Sequence, residues 1–299
     1  MKKRWVSELR PGERVDTVFA VKDIERRRFT SKEGEYLQLT LSDKSGEVRA
    51  ICWEPAALPG DIAPWDILTI RGTVQKRKDH GVEIIIENGM GAPDDERDPS
   101  YFLATTDRDI SAMQQSFTDH IQSITDGELR EAIAIIEREH RDAIAKMPAT
   151  LTYHHAYIGG LLEHTLSVVS ICRSMLDSYE LDADLLTAGA LVHKIGKVRE
   201  YSISVNVTLD RTGGLQGPGV SGFLIVKEAA QRAGLSESLT DKLLHIVLAC
   251  AKAVKPRFPE AMALTYADYL DAQLHSFTSG YGMAGEGWYH DRKWGFMLK

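Results

Sequence analysis

The sequence predicts a two-domain protein of class β + α: a five-stranded barrel over residues 1–92, a linker over 93–106, and an all-helical domain over 107–299. Two observations predict it. Before residue 92 the apolar residues come in short runs rich in Val, Ile, Leu and Thr, cut by turn residues, which is strand patterning. From about Asp107 onward they recur three and four apart with charges between, which is helix patterning.

The strand runs are "RVDTVFAVKDI", "YLQLTLSD", "EVRAICW", "DILTIRGTVQKR" and "VEIIIEN". Turns at Lys32-Glu33-Gly34, Asp43-Lys44-Ser45-Gly46 and Asp79-His80-Gly81 separate them. Strands of this number and spacing predict a closed barrel of the OB type. The Gly/Pro/Asp-rich "GMGAPDDERDPSYF" has no periodicity and reads as the linker. "ELREAIAIIEREHRDAI" is amphipathic. "GLLEHTLSVVSICRSMLDSY" puts Leu161, Leu162, Thr165, Val168, Val169, Cys172, Leu176 and Tyr179 on one helix face. Further helices are expected over Asp184–Lys194, Leu239–Val254 and Glu260–Phe277, and "YSISVNVTLDRTGGLQGPG" between them reads as a hairpin or loop.

Composition narrows the function classes. The 299 residues are 43% hydrophobic and 26% charged, ordinary for a globular chain. The net charge of −7 means that nucleic-acid binding has to come from a local basic patch. Three scattered cysteines make no disulfide framework or zinc knuckle, and fit a reducing cytoplasm. The basic N-terminus lacks the apolar run of a signal peptide, and no stretch is apolar enough to span a membrane.

Local basic patches are present. In an OB barrel the loops joining strands 1–2 and 4–5 flank the binding face. Arg26, Arg27, Arg28 and Phe29 are expected in the first loop, and Lys76, Arg77, Lys78 and His80 in the second. Cations that track a backbone and aromatics that stack on bases make a single-strand groove. Phe29, Tyr36, Trp53 and Trp65 are the candidate aromatics; Trp53 and Trp65, taken singly, read first as barrel core.

Three strings in the helical region carry a resemblance: "HHAYIGGLLEHTLSV", "AGALVHKIGKVREY" and "ALTYADYLDAQL". With the barrel before them, they resemble the YhaM-type 3′→5′ exoribonucleases, in which an OB domain precedes an HD phosphohydrolase domain. The resemblance implies an all-α HD-type domain holding divalent metal, typically manganese, on His and Asp ligands; such an ion activates water and clamps a phosphate. It carries the ligand positions over to His164, His193 and Asp268. It also implies that Lys197 contacts phosphate, against the plain reading of a last-turn cation.

The remaining ligand positions are substituted. Lys194 stands where the resemblance puts the Asp of a His-Asp doublet, and Pro218, Cys250 and Ala251 stand at three expected histidines. A carboxylate supplies lone pairs and negative charge, whereas lysine supplies donors and a positive charge. The simplest expectation is that the Lys194 ammonium replaces the cation and pairs with Asp268. Alternatives stay open: one metal on His164, His193 and Asp268, or Cys250 as a replacement ligand. His154, His155 and His245 read as supporting or purely structural histidines. The C-terminal aromatics Trp288, Tyr289 and Trp294 read as packing.

The expected function is therefore binding of single-stranded RNA or DNA with weak or no hydrolysis. The alternatives are an active metal-dependent 3′→5′ exonuclease and a nucleotide-sensing or protein-interaction module. Self-association and the natural substrate are left open by the sequence.

Overall fold

The structure, a computed structural model, describes residues 4–30, 33–77, 81–279, 288–291 and 295–298. The chain divides into two compact units: Met1–Ala104 with Ile203–Val207, and Thr105–Ser202 with Thr208–Lys299.

In the first unit, β1 (Arg14–Arg28), β2 (Glu35–Asp43), β3 (Gly46–Cys52), β4 (Ile67–Lys76) and β5 (Val82–Gly91) close a barrel in the order β1-β2-β3-β5-β4. Only β3 and β5 run parallel, in the register Ala50↔Ile84. Strand β1 serves two partners: its first half pairs β4 (Val18↔Thr69) and its second half pairs β2 (Ile24↔Leu39). A bulge between Val21 and Asp23 marks the change, as expected where a barrel strand must bend. Leu37, Leu39 and Leu41 alternate inward along β2 and meet Phe19, Ile70, Val74 and Ile84 in the core. The segment after β5 also packs: Phe102 is buried with Val18, Ala20, Ala92 and Val205.

The second unit is built from α1 (Ile110–Gln122), α2 (Gly127–Lys146), α3 (Gly160–Met175), α4 (Ala183–Val192), the single turn α5 (Lys197–Glu200), α6 (Arg211–Ala233), α7 (Glu237–Cys250) and α8 (Pro259–Ser279). Asp109, Asp126, Asp182, Asp210 and Ser236 cap helix N-termini with side-chain oxygens that accept backbone N–H donors. Helix α4 is buried from Leu185 to Val192, which explains why it shows almost no polar face. It packs with Leu162 and Val169 of α3, Ile246 of α7 and Leu264 of α8 in one core. Two short hairpins interrupt the helical order: β6 (Tyr201–Ile203) with β7 (Val207–Leu209), and β8 (Trp288–Asp291) with β9 (Gly295–Leu298).

Three expectations need correction. Tyr179 is exposed, because α3 ends at Met175 and the apolar face stops with it. The Gly-rich "RTGGLQGPG" is not a loop: it forms the first part of α6, broken only at Gly217, whose φ is 77°. Two of its glycines serve close packing, since a Cβ on Gly213 would lie 1.9 Å from the Arg199 carbonyl oxygen and one on Gly219 2.9 Å from the Ala251 Cβ. Finally, Trp53 and Trp65 are 45% and 40% exposed, so neither is barrel core. Among the described residues no helix is long and apolar enough to cross a membrane.

Candidate functional site

Helices α3, α4 and α8 bring His164, His193 and Asp268 together inside the helical unit. All three are buried. His193 follows the last residue of α4, and its Nδ1 lies 2.8 Å from the Ala190 carbonyl oxygen. A carbonyl only accepts, so that nitrogen carries the proton and Nε2 is left as an acceptor. Burial lowers the His193 pKa, which keeps the ring neutral.

His164 is in the opposite state. Its Nε2 lies 3.1 Å from Asp268 Oδ1 and 3.2 Å from His193 Nε2, and its Nδ1 lies 2.6 Å from Asp271 Oδ2. Burial opposes charging this ring, but hydrogen bonds to Asp268 and then Asp271 raise its pKa above the ordinary value. Both contacts to carboxylates favour a proton on each ring nitrogen.

Asp268 meets a second cation. Its Oδ2 accepts from the Lys194 ammonium at 2.8 Å. Burial alone would raise the Asp268 pKa; Lys194, followed by the hydrogen bond from His164, instead holds it well below the usual carboxylate range. Asp271 accepts from His164, from His155 Nε2 at 3.1 Å and from the Ser167 hydroxyl. Burial opposes its ionisation too, and these donors keep it ionised. Each buried carboxylate thus has donors of its own: Asp268 the Lys194 ammonium and His164, Asp271 His164, His155 and Ser167. Such pairing is the condition under which burial of ions is tolerable.

One donor atom each from His164, His193 and Asp268 lies within 4.8 Å of the others, close enough to share one ion. Lys194 competes with such an ion for Asp268: a divalent metal there would have to displace the ammonium contact at 2.8 Å and the protons that His164 shares with its carboxylates.

Above this group opens a cavity of about 760 Å³ lined by Lys194, Asp268, His154, Lys252 and three tyrosines. Tyr153, Tyr266 and Tyr269 are 68%, 63% and 58% exposed. His154 has a buried Nδ1 with no hydrogen-bond partner among the described residues. Burial, then its neighbours His164 and His155, push its pKa down to about 3, so it is neutral. Cys250 also lines the cavity, but burial pushes its thiol up to about 12. Lys197 does not line it: its ammonium donates to Glu200 and, at 2.9 Å, to Tyr201. His245 accepts from the Arg257 N–H at 3.1 Å and packs on Phe258, away from the cavity. Pro218 follows the break in α6, and Ala251 ends α7.

Sequence reasoning missed Asp271, Ser167, Tyr157 and His275. His275 stacks on His155 with ring centroids 3.6 Å apart, and the Tyr157 hydroxyl lies 2.9 Å from His155 and 3.0 Å from His275. A signal was available: Asp268, Asp271 and His275 fall three and four apart and so share a face of α8.

In the barrel, Arg26, Arg27 and Arg28 are not in a loop but are the last residues of β1, because the β1–β2 ladder continues to Arg28↔Glu35. They are locally paired: Arg27 with Glu25 at 2.8 Å, and Arg26 and Arg28 with Glu35 at 3.5 and 3.6 Å. Beside them Phe29, Tyr36 and Trp53 form an aromatic cluster with centroids 5.1–5.9 Å apart. Lys76 ends β4, and the Arg77 N–H donates to the Gly81 carbonyl oxygen at 2.8 Å. Lys78 and His80 lie outside the described residues, as does Trp294; Trp288 and Tyr289 are placed only as residues of β8.

Comparison with known proteins agrees with this architecture. The OB-fold nucleic acid binding domain family matches residues 18–89, and the HD domain family matches residues 161–273. A family described as putative helicase matches residues 103–197. The 3′-5′ exoribonuclease YhaM of Geobacillus sp. (strain WCH70) is 26% identical over 274 residues, covering 88% of this chain and 84% of the relative. That of Bacillus subtilis (strain 168) is 25% identical over 291 residues, covering 94% and 92%. Among solved structures, the second OB-fold domain of replication protein A from Methanococcus maripaludis aligns with 29% of this chain and 92% of its own, at 24% identity and a TM-score of 0.25. The chain thus joins an OB-fold nucleic acid binding domain to an HD domain and is related along most of its length to the YhaM 3′-5′ exoribonucleases.

Proposed function

We propose that this protein binds single-stranded nucleic acid, RNA in the first instance, and that its HD site hydrolyses the strand weakly or not at all. The observation that carries this reading is the Lys194 ammonium 2.8 Å from Asp268. A metal-dependent phosphodiesterase needs the ion to generate hydroxide and to balance charge on the phosphate. The ammonium supplies the charge but cannot bind and acidify a water as a dication does.

Binding has its own support. On the barrel, the Phe29–Tyr36–Trp53 cluster offers the exposed Trp53 ring for stacking, backed by the half-buried Phe29 and Tyr36, with Arg26, Arg27, Arg28, Lys76, Arg77 and Lys78 as the cations that follow a phosphate backbone. In the helical unit, the tyrosine-lined cavity offers rings for a terminal base, with Lys252 and Lys194 for its phosphate. His164, His193 and Asp268, the remnant of the ligand set, serve there to position Lys194. The exoribonuclease relatives favour RNA over DNA as the strand.

The test combines metal analysis of the purified protein, with and without manganese soaking, with decay of a 5′-labelled single-stranded RNA. No bound metal, intact RNA and a mobility shift support a binder. About one metal per chain and stepwise shortening would instead establish an active exonuclease with a reduced site. Absence of any shift would turn attention to a nucleotide-sensing or protein-interaction role.

A further inference from the structure

A second polar cavity, of about 520 Å³, lies within the helical unit and shares no lining residue with the tyrosine-lined one. It is lined by Arg108, Ser116, His120, Ser167, Ser170 and Arg173, with Leu166 the one apolar residue. The sequence places these groups by helix periodicity: Ser116 and His120 are four apart on α1, and Ser167, Ser170 and Arg173 are three apart on α3. Arg108 precedes the Asp109 cap of α1.

The lining contains no carboxylate. Most arginines elsewhere in the described residues sit beside an acid, such as Arg14 with Glu87, Arg141 with Glu137 and Arg232 with Glu139. Among the described residues Arg108 and Arg173 have no such ion pair, and Arg173 donates only to Ser123 Oγ at 3.3 Å. Burial and then the Arg173 charge lower the His120 pKa, against the pull of Asp119, so the imidazole is neutral and offers one N–H. Two guanidiniums, an imidazole and the Ser116 and Ser170 hydroxyls converge on one space whose lining residues include no carboxylate, whereas the Ser167 hydroxyl beside them is already donated to Asp271.

We propose that this cavity is a phosphate-binding site, distinct from the HD pocket, in which Arg108 and Arg173 clamp the anion and Ser116, Ser170 and His120 complete its hydrogen bonds. The planar guanidinium fork matches two phosphate oxygens at once. With one apolar side chain and no Phe, Tyr or Trp in the lining, nothing here would grip a base, so the phosphate group itself is what is recognised. It comes either from a free phosphate compound or from the backbone of a bound strand. The site does not depend on the state of Lys194, so it stands or falls separately from the proposed function.

The experiment is calorimetric titration of the full chain with inorganic pyrophosphate, beside fluorescence-anisotropy titration with a labelled single-stranded oligoribonucleotide. The proteins compared are wild type, the double variant Arg108→Ala/Arg173→Ala, and Lys252→Ala in the other cavity. Both arginines are exposed, and an unchanged thermal melt confirms that the double variant folds. The expected result is pyrophosphate binding that weakens at least about tenfold in the double variant and is kept in Lys252→Ala. If pyrophosphate does not bind but the double variant loses oligonucleotide affinity with a shallower salt dependence, the phosphate belongs to the strand and the site still holds. The proposal is overturned if the double variant binds both probes as wild type does, if pyrophosphate binding is lost in Lys252→Ala instead, or if wild type binds neither.

Discussion

At the scale of single residues, the pairing of Lys194 with Asp268 was legible in the sequence. The resemblance puts a lysine where a metal site would carry a carboxylate, and the ammonium lies 2.8 Å from Asp268. The charge state of His164 was not legible, because it depends on Asp271, which only the packing of α8 against α3 brings within 2.6 Å. Two predictions belong here. Lys194→Met leaves a buried carboxylate short of one partner. Its cost should be about 1–3 kcal/mol, below the range for fully buried pairs because the lysine side chain is 22% exposed; urea unfolding at pH 7 measures it. In the same variant, saturating manganese should raise the melting temperature, while wild type stays unmoved, because ligand binding to the native state stabilises it. A variant that ignores manganese would mean that the three remaining groups hold no ion even with the ammonium gone, and that Lys194 is not what excludes it.

At the scale of elements, strands and amphipathic helices followed from periodicity, but the Gly-rich segment misled. Glycine and proline usually signal loops, yet in α6 they let two backbones meet. A Cβ on Gly196 would lie 1.9 Å from the Pro218 carbonyl oxygen and 2.7 Å from the Gly222 nitrogen. Gly196→Ala should therefore cost about 1–3 kcal/mol, the usual range for overpacking, read from the shift of the urea midpoint. The β1–β2 hairpin carries the opposite lesson. Its arginines read as free cations, but the ladder seats all three beside Glu25 and Glu35, which offset two of their three charges. Its aromatics read as core, but Trp53 is 45% exposed and within stacking distance of Phe29. Pattern reading cannot tell an inward ring from an outward one at a strand end. If the rings are the stacking platform, Trp53→Ala should weaken binding of a single-stranded oligonucleotide by about 1–3 kcal/mol, roughly tenfold or more. Fluorescence anisotropy gives the number, and an unchanged affinity would move the interface off this cluster.

At the scale of the whole molecule, the switch from period-two to helical patterning announced two cores, and the two large apolar clusters follow it, with a small third one around Phe102 that it did not announce. Cys52 is buried in the barrel cluster, whereas Cys172 and Cys250 share the helical one. The sequence made these thiols look unremarkable in chemistry, and their positions turn them into reporters. Burial raises the pKa of all three, those of Cys172 and Cys250 to about 12. Thiolate is the reactive form, so the native protein should resist alkylation at pH 8, and each thiol should react only when its own core opens. Along a urea gradient, Cys172 and Cys250 should become labelled together, because one core encloses both. Cys52 should be labelled at a different urea concentration, because its apolar cluster is separate from the one that encloses Cys172 and Cys250. Mass spectrometry of peptides after a short alkylation pulse separates the three sites. A single common midpoint would instead mean that the two cores unfold as one cooperative body, with coupling between the units comparable to the stability of the weaker one.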